Sequence, residues 1–287
     1  MNTKVWINKR FVDIDKAKIS VFDRSFLYGD GVFETMRSYA GIVFKLDEHL
    51  NRLFASLKII RIEMPYSKVQ IRDAAYKTLK ANKLKDAYIR VAITRGEGRF
   101  GISYKDKLVP NVIIMAKHFE GYPGWMYSRG IRANVSKIRQ NEHSPLSRIK
   151  SSNFLHYILA RSYAKEKGYD EAILMNTAGF LACAATSNIF LIKNNTVITP
   201  GLDSGVLAGI TRGVIIKIAG GIKFRVREKT VSYHELVNAD EVFLTNSLAE
   251  VIPVVKVDSR KIGKGAPGRV TRLLHLAFKN AYSRSSL

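Results

Sequence analysis

The sequence predicts an α+β protein in two domains, and three observations carry that prediction. Segments of strand period and segments of helical period are interspersed along the chain. The stretch Gly121-Tyr122-Pro123-Gly124 is the best linker signal in it, because glycine and proline punctuate regular structure. The length, 287 residues, is enough for one large or two ordinary domains, each with its own core. The division therefore reads as a small N-terminal domain over 1–120, a linker over 121–128 and a larger C-terminal domain over 129–287.

Composition narrows the class. The chain is 46% hydrophobic, as globular proteins are, and no run of 18 or more apolar residues is present to span a membrane. The first residues, Met1-Asn2-Thr3-Lys4-Val5-Trp6-Ile7-Asn8, lack the apolar core of a signal peptide. The single cysteine, Cys183, allows no internal disulfide and fits a reducing cytoplasm. The formal net charge of +23 would attract anions of any kind, nucleic acid included. The basic residues are nevertheless spread along the chain, without a recognisable nucleic-acid-binding pattern, so a solvated basic surface accounts for the count and neither nucleic acid nor membrane is expected as a partner.

In the first domain, Val5, Ile7 and Phe11 alternate with polar positions around an Asn8-Lys9-Arg10 turn, and Val12 to Ser20 leads towards a second strand. Glycines 29 and 31 suit a tight turn that brings backbone close to something. Phe33, Thr35, Arg37 and Tyr39 then alternate with Val32, Glu34, Met36 and Ser38, a strand with two distinct faces, and Gly41 turns it back through Ile42-Val43-Phe44. Leu50, Leu53, Phe54 and Leu57 form one helical face behind Asp47 as N-cap, with Arg52 beside that face. A second helix spans 66–82, with Val69, Ala74 and Leu79 inward. The strand Ala87–Thr94 precedes Gly96-Glu97-Gly98-Arg99-Phe100-Gly101, which matches a dinucleotide-binding fingerprint, with Glu120 at the distance of a ribose-binding acid. That fingerprint must open a helix. Here Lys105-Asp106-Lys107, Pro110 and another strand, Val112–Ala116, follow, so the stretch reads as a long hairpin loop.

Beyond the linker, strands are expected at Ile131–Val135, Glu171–Met175, Ser187–Ile192, Thr196–Pro200, Phe224–Arg227 and Glu241–Ser247. Helices are expected after residue 154 to a Gly168 C-cap, over Val214–Ala219, briefly at Tyr233–Leu236 and over 267–282. The glycine-flanked Gly209-Ile210-Thr211-Arg212 at a helix start offers free backbone N–H groups and a hydroxyl, which suits an anion. Lys150 lies in Pro145-Leu146-Ser147-Arg148-Ile149-Lys150-Ser151-Ser152-Asn153-Phe154-Leu155, near the entrance to a helix whose Leu155, Ile158, Leu159 and Ser162-Tyr163 repeat at helical spacing. A lysine in a mostly apolar setting can have a lowered pKa and form a Schiff base with a carbonyl. The fork of Arg52 is either a snorkelling surface group or a clamp for phosphate oxygens.

Taken in order, these segments resemble the class IV aminotransferases, the pyridoxal-phosphate enzymes of fold type IV, which include branched-chain aminotransferases, D-amino-acid aminotransferases and aminodeoxychorismate lyases. The resemblance covers nearly the whole chain. It implies a small α/β domain followed by a larger pseudo-barrel domain, a homodimer, and pyridoxal 5'-phosphate as cofactor. By this resemblance Lys150 is the Schiff-base lysine that later carries the substrate proton. Arg52, Ile210, Thr211 and Ser247 match the phosphate site, and Asn188 matches the asparagine after the cofactor loop. Tyr28, Phe33, Thr35, Arg37, Tyr88 and Arg90 match substrate-pocket positions, with amino acids and 2-oxo acids as the substrates implied.

Two residues depart from the family pattern. The family has a glutamate facing the pyridine nitrogen five residues before the asparagine, where this chain has Cys183. A carboxylate keeps that nitrogen protonated, which a thiol does poorly. Phe154 stands where branched-chain enzymes often carry a tyrosine that hydrogen-bonds the cofactor. The expectation is transamination of a branched-chain-type amino acid, slowed by these changes. Thr35, in place of the usual glycine, and the Thr245–Pro253 segment look closer to the lyases, which is the alternative. A cofactor-poor protein is the third.

Overall fold

A computed structural model describes residues 3–103 and 107–284. Of the hairpin loop expected after Thr94, Lys105 and Asp106 lie outside the described residues. The chain forms two compact units. The first takes residues up to Glu120 together with Ile149–Asn153, so that the segment carrying Lys150 belongs to it; the second takes Gly121–Arg148 and Phe154–Arg284.

The first unit is a sheet covered by two helices. Its strands are β1 (Lys4–Ile7), β2 (Arg10–Asp13), β3 (Gly31–Tyr39), β4 (Ile42–Val43), β5 (Ala87–Thr94) and β6 (Asn111–His118), in the order β2-β1-β6-β5-β3-β4. All pairs are antiparallel. A short helix, α1 (Arg24–Tyr28), precedes β3, and α2 (Leu46–Ile59) and α3 (Lys68–Ala81) follow the β3–β4 hairpin. Val32 and Met36 of β3, Ile89 and Val91 of β5 and Ile114 of β6 share one core with Leu50, Leu53 and Leu57 of α2 and Ile71 and Leu79 of α3. Each such side chain, fully buried, contributes about 1.5–3 kcal/mol. The strand alternation that places them there sends Phe33, Thr35, Arg37 and Tyr39 to the opposite face.

Two helix readings are corrected here. The N-cap of α2 is Lys45, at φ 55°, and Asp47 lies inside the first turn, where its charge complements the helix dipole. The buried Leu46 is already helical, which moves the start ahead of Asp47. In α3, Val69 is 57% exposed, because the inward face follows Ile71, Ala74, Ala75, Thr78 and Leu79. A Ser67–Gln70 capping box begins this helix.

The second unit is built on β7 (Ile131–Val135), β8 (Glu171–Met175), β9 (Leu181–Ala184), β10 (Asn188–Lys193), β11 (Thr196–Pro200), β12 (Arg225–Lys229), β13 (Glu241–Asn246), β14 (Glu250–Val257) and β15 (Arg260–Lys261). Their order is β12-β11-β10-β13-β14-β7-β8-β9, with β15 on β14. The sheet curls: β9, at one end of this order, comes back against β10 and β11, as the expected pseudo-barrel requires. The helices are α4 (Trp125–Ser128), α5 (Leu155–Glu166), α6 (Ile210–Gly221), α7 (Tyr233–Val237) and α8 (Arg269–Arg284). The parallel pairs β7–β8 and β11–β12 are joined through α5 and α6 respectively. Pro253 stands within β14, a strand absent from the sequence reading, and α6 starts four residues earlier than expected.

The helix α5 turns its small residues inward. Leu155, Ile158, Leu159 and Tyr163 are exposed, and Ala160 and Ala164 are the residues buried on this helix. Ala160 and Ala164 pack with Ala172 and Leu174 of β8, where small side chains allow close approach, and the large apolar residues occupy the other side. Gly168, at φ 77°, follows the C-cap Lys167 as the left-handed residue that ends the helix.

Candidate active site

Lys150 is placed by β3. The amide of Phe33 donates to the Lys150 carbonyl at 2.9 Å, the amide of Ser152 donates to the Gly31 carbonyl at 2.9 Å, and Val32 and Ser151 form an antiparallel bridge. The lysine therefore sits on an extended segment laid along β3, five residues before α5 begins, and not at the helix entrance. The glycines at the start of β3 make this approach feasible. A Cβ on Gly29, which holds φ 68°, would lie 2.8 Å from the Asn153 side chain, and one on Gly31 would lie 3.3 Å from Ser152 Oγ.

The Lys150 Nζ lies 4.6 Å from the centroid of the Phe33 ring, and the Arg90 guanidinium lies 3.7 Å from the same centroid. Burial lowers the lysine pKa; the Glu34 carboxylate opposes that, and Arg52 and Arg90 add to it, leaving it at about 8. About a tenth of the amine is thus unprotonated at pH 7, far more than in an ordinary lysine, and the unprotonated form is the nucleophile.

Glu34 points from β3 to the helix side of the sheet, where it is fully buried. Arg52 Nε donates to Glu34 Oε1 and Arg52 Nη2 to Oε2, each at 2.7 Å, and His49 Nδ1 reaches Oε2 at 2.7 Å. Burial works to raise the Glu34 pKa, but Arg52 and His49 more than offset it and hold it at about 2. Burial pushes the His49 pKa down, so that at neutral pH this histidine is uncharged, with its Nδ1–H donated to the carboxylate. Neither Glu34 nor His49 was marked by the sequence; a glutamate on the apolar face of β3 is the signal that could have found the pair.

The opposite face of the same sheet gathers five of the six expected pocket residues. Thr35 pairs with Arg90 and Arg37 with Tyr88 across the β3–β5 ladder, and Phe33 lies one pair further along. Lys117 stands 5.4 Å over the Tyr88 ring. Arg37 is held by the rings of Tyr39 and Phe119, at 4.5 and 5.0 Å, and donates to the Glu120 carbonyl at 3.2 Å. Tyr28 is elsewhere, on α1, where its hydroxyl accepts from the Gly101 amide at 2.8 Å and its ring lies 4.8 Å beneath Arg24.

In the second unit the remaining candidates occupy three turns tied to one another. Asn188 starts β10 opposite Thr245 of β13, and its Nδ2 donates to the Leu207 carbonyl at 2.9 Å, just before α6. A Cβ on Gly209 would come within 2.0 Å of Asn188 Oδ1. Gly209 is the N-cap of α6, no side chain caps it among the described residues, and Ile210 and the buried Thr211 form the first turn. Ser247 begins the turn after β13. Asn246 Oδ1 fixes that turn by accepting from the amides of Leu248 and Ala249 at 2.9 and 2.7 Å, while its Nδ2 donates to Ser187 Oγ at 2.9 Å.

Cys183 is central in β9 and buried; burial first, and then the carboxylate of Glu171, push its thiol up to about 12. It is a neutral thiol at any working pH. Burial also raises the Tyr157 phenol, with Cys183 acting in the same sense and a hydrogen bond with Gln140 against it. Phe154 packs on Tyr157 at 4.9 Å between centroids, and both line a groove of about 510 Å³ along α5 with Ile158, Arg161, Ser162 and Thr186. Tyr157 was missed in the sequence; it lies one helical turn beyond Phe154.

Comparison with known proteins decides the family. Residues 31–257 match the family model described as amino-transferase class IV. The chain belongs to the class IV aminotransferases. Its relatives include the D-alanine aminotransferase of Bacillus licheniformis, 32% identical over 279 residues, which are 97% of this chain and 96% of that one. The crystal structure of the Escherichia coli branched-chain amino acid aminotransferase superposes with a TM-score of 0.94 at 33% identity, covering 98% of this chain and 94% of that one. The branched-chain aminotransferase of Thermobaculum terrenum in its PLP form superposes with a TM-score of 0.87 at 27% identity, again over 98% and 94%.

Proposed function

We propose that this aminotransferase moves the amino group of an amino acid, of branched-chain type, to a 2-oxo acid with pyridoxal 5'-phosphate as cofactor. The observation that carries the reading is Lys150: an amine held beside a ring and two guanidinium groups, with its pKa brought to about 8. The residues fit the cofactor. The uncapped N-terminus of α6, with the Thr211 hydroxyl, suits a phosphate, and so does the hydroxyl of Ser247. Asn188 Oδ1 occupies the space that a Cβ on Gly209 would need, so the turn before α6 requires glycine. Arg52, in the first unit, carries a guanidinium of the kind that suits phosphate oxygens, its fork steadied by Glu34.

When bound, the cofactor supplies an aldehyde for the amino group and a ring that draws electrons from the substrate Cα. Lys150 supplies the amine that holds the cofactor covalently and, once displaced, the base that moves the Cα proton at its Nζ. Arg90 and Arg37 offer cationic donors to substrate carboxylates, and Phe33 and Tyr88 an apolar wall. Cys183, neutral, would stabilise a protonated ring nitrogen far less than a carboxylate does, and slower turnover than in relatives with glutamate there is the expected consequence. A homodimer is part of the reading, supported by the exposed apolar side of α5. So is a cytoplasmic setting, supported by the single cysteine; no helix of the described residues is long and apolar enough to cross a membrane.

The test is the visible spectrum of the purified protein with added pyridoxal phosphate, before and after L-leucine, L-glutamate and D-alanine. A band absent in Lys150→Ala and bleached by one of these amino acids supports the reading and names its donor. A band that no amino acid alters favours the lyase, to which Thr35 on the pocket face also leans. No band at all overturns the proposal.

A further inference from the structure

We propose that Tyr127 and His275 are positioning residues of the turn over 246–250: from two helices they fix the backbone that presents Ser247 to the cofactor phosphate. The proposal rests on the reading of Ser247 given above. Every group involved belongs to the second unit. The turn joins β13 to β14, and Asn246 and Glu250 face each other across its base. Asn246 holds it from inside, through the amides of Leu248 and Ala249. Two further holds come from outside. His275, on α8, donates from Nε2 to Glu250 Oε2 at 2.7 Å, the tautomer that a carboxylate acceptor requires. Tyr127, on α4, donates its hydroxyl to the Ala249 carbonyl at 3.3 Å. The two outer groups support each other, since the Tyr127 and His275 rings stack at 5.0 Å between centroids and 19° between planes. These contacts fall on residues 246, 248, 249 and 250, so the place of Ser247 is determined by groups other than its own side chain.

Glu250 is the reason to read this as more than packing. It holds φ 58°, a left-handed conformation in which a glycine would be at ease and a side chain is not. Its carboxylate is also buried, at 3% exposure for the residue, which is costly without a charge-assisted partner such as His275. A turn that had only to connect two strands would need neither feature. A strained residue with a buried charge persists where its surroundings over-determine it, and such residues gather at functional sites. Glu250 and His275 act through the turn, and what the turn offers the phosphate, a serine hydroxyl, is neutral. Tyr127 lies in the stretch over 121–128 that reads as a linker in the sequence, and the stack on His275 gives that stretch a part in the site.

Two measurements on full-length protein test the proposal. The first is deuterium exchange of the peptide over 244–252 in cofactor-free protein, which reads how firmly the turn is held. The second is titration with pyridoxal phosphate. His275→Phe keeps a ring against Tyr127 and removes the donor to Glu250. It should speed exchange in the turn by about tenfold, the scale of one hydrogen bond to a charged group, and weaken cofactor binding by a similar factor. His275→Gln, whose side-chain NH₂ can reach a carboxylate, should restore both to within about threefold of wild type. Unchanged exchange in a folded His275→Phe protein overturns the proposal. So does faster exchange with cofactor affinity intact, the result expected if the helices merely pack there, and so does a glutamine variant no better than phenylalanine. If His275→Phe does not fold, Tyr127→Phe serves: it removes only the hydroxyl, and exchange or affinity that stays at the wild-type value overturns the proposal equally. A wild-type protein that binds no pyridoxal phosphate would defeat the proposed function, while the exchange measurement would still decide whether these two side chains hold the turn.

Discussion

The two units bring different physics to their candidate groups. The first works with charge: a buried carboxylate, two guanidinium groups and a lysine, each shifted or paired by the others. The second works with neutral groups: backbone N–H at the start of α6, the hydroxyls of Thr211 and Ser247, the amides of Asn188 and Asn246, and a thiol pushed up to about 12. A charged cluster is sensitive to every member, because removing one leaves the rest desolvated and unpaired. A scaffold of neutral donors loses one hydrogen bond at a time. Substitutions in the first unit should therefore cost more than those in the second, and the loss should be larger in activity than in fold where the lysine itself is removed.

The largest effect is expected for Lys150→Ala. Losing the covalent anchor and the base together should reduce transamination by at least about 10⁴-fold, more than 5 kcal/mol of barrier. Stopped-flow or coupled assays of the purified variant check this. Residual turnover within tenfold of wild type would show that the amine is not the reacting group and would remove the premise of the comparison.

Glu34→Ala comes next and acts on stability. It leaves Arg52 without its fork partner in a buried site, a loss of about 3–5 kcal/mol in urea denaturation. The pH dependence follows from the same group. Its folded pKa, about 2, lies below the usual 4.5, so its contribution is complete above 4.5 and disappears as pH falls from 4.5 towards 2. Wild type should show that acid limb and Glu34→Ala should lack it. Lys150 works in the opposite direction: with its pKa lowered to about 8 from 10.5, it costs stability at neutral pH, and the cost fades as pH rises from 8 towards 10.5.

In the neutral unit, Gly209→Ala tests whether the turn before α6 is as tight as it looks. The new Cβ would meet Asn188 Oδ1 at 2.0 Å. Either the asparagine gives up its bond to the Leu207 carbonyl or the turn moves, and the cost should be about 1–3 kcal/mol, below that of Glu34→Ala. Titration with pyridoxal phosphate should show weaker binding in the same variant. A loss of stability larger than that of Glu34→Ala would reverse the ranking of the two units.

What the sequence made legible follows the same division. The two-faced strand at 31–39 put Phe33, Thr35, Arg37 and Tyr39 on one face, since period two is a strong signal over nine residues, while Tyr88 and Arg90, which pair with Arg37 and Thr35, came only from the resemblance. It did not disclose Glu34, because a glutamate on the apolar face looks like an error until its partners on α2 are seen. The tight Gly29–Gly31 turn was read as an approach to something, and that something, the Lys150 segment, lies more than 110 residues away in sequence, a separation no local pattern reports. On α5 the helical spacing of the large apolar residues was legible, but not which side meets the sheet, and it is the alanines that do. Tyr157 lies between those residues in sequence and carried no signal of its own.

The smallest effect expected is a gain, and it bears on the sharpest contrast between the two units. Cys183→Glu would place in the neutral unit a charge of the kind the other unit already manages. If the cofactor ring nitrogen meets this residue, a carboxylate there should raise turnover at saturating cofactor by about tenfold, equivalent to about 1.4 kcal/mol of barrier. The same substitution should lower stability, because the site is fully buried and Glu171 already acts on it as a like charge. Tyr157, whose phenol Cys183 also influences, has a hydroxyl able to donate a hydrogen bond to a carboxylate. Cys183→Gln separates the two consequences: it matches the size of glutamate without the charge, so it should share part of the stability loss and none of the gain in rate. Equal rates for the two variants would mean that the thiol does not limit turnover, and that the neutrality of this unit is a property of its packing rather than of its chemistry.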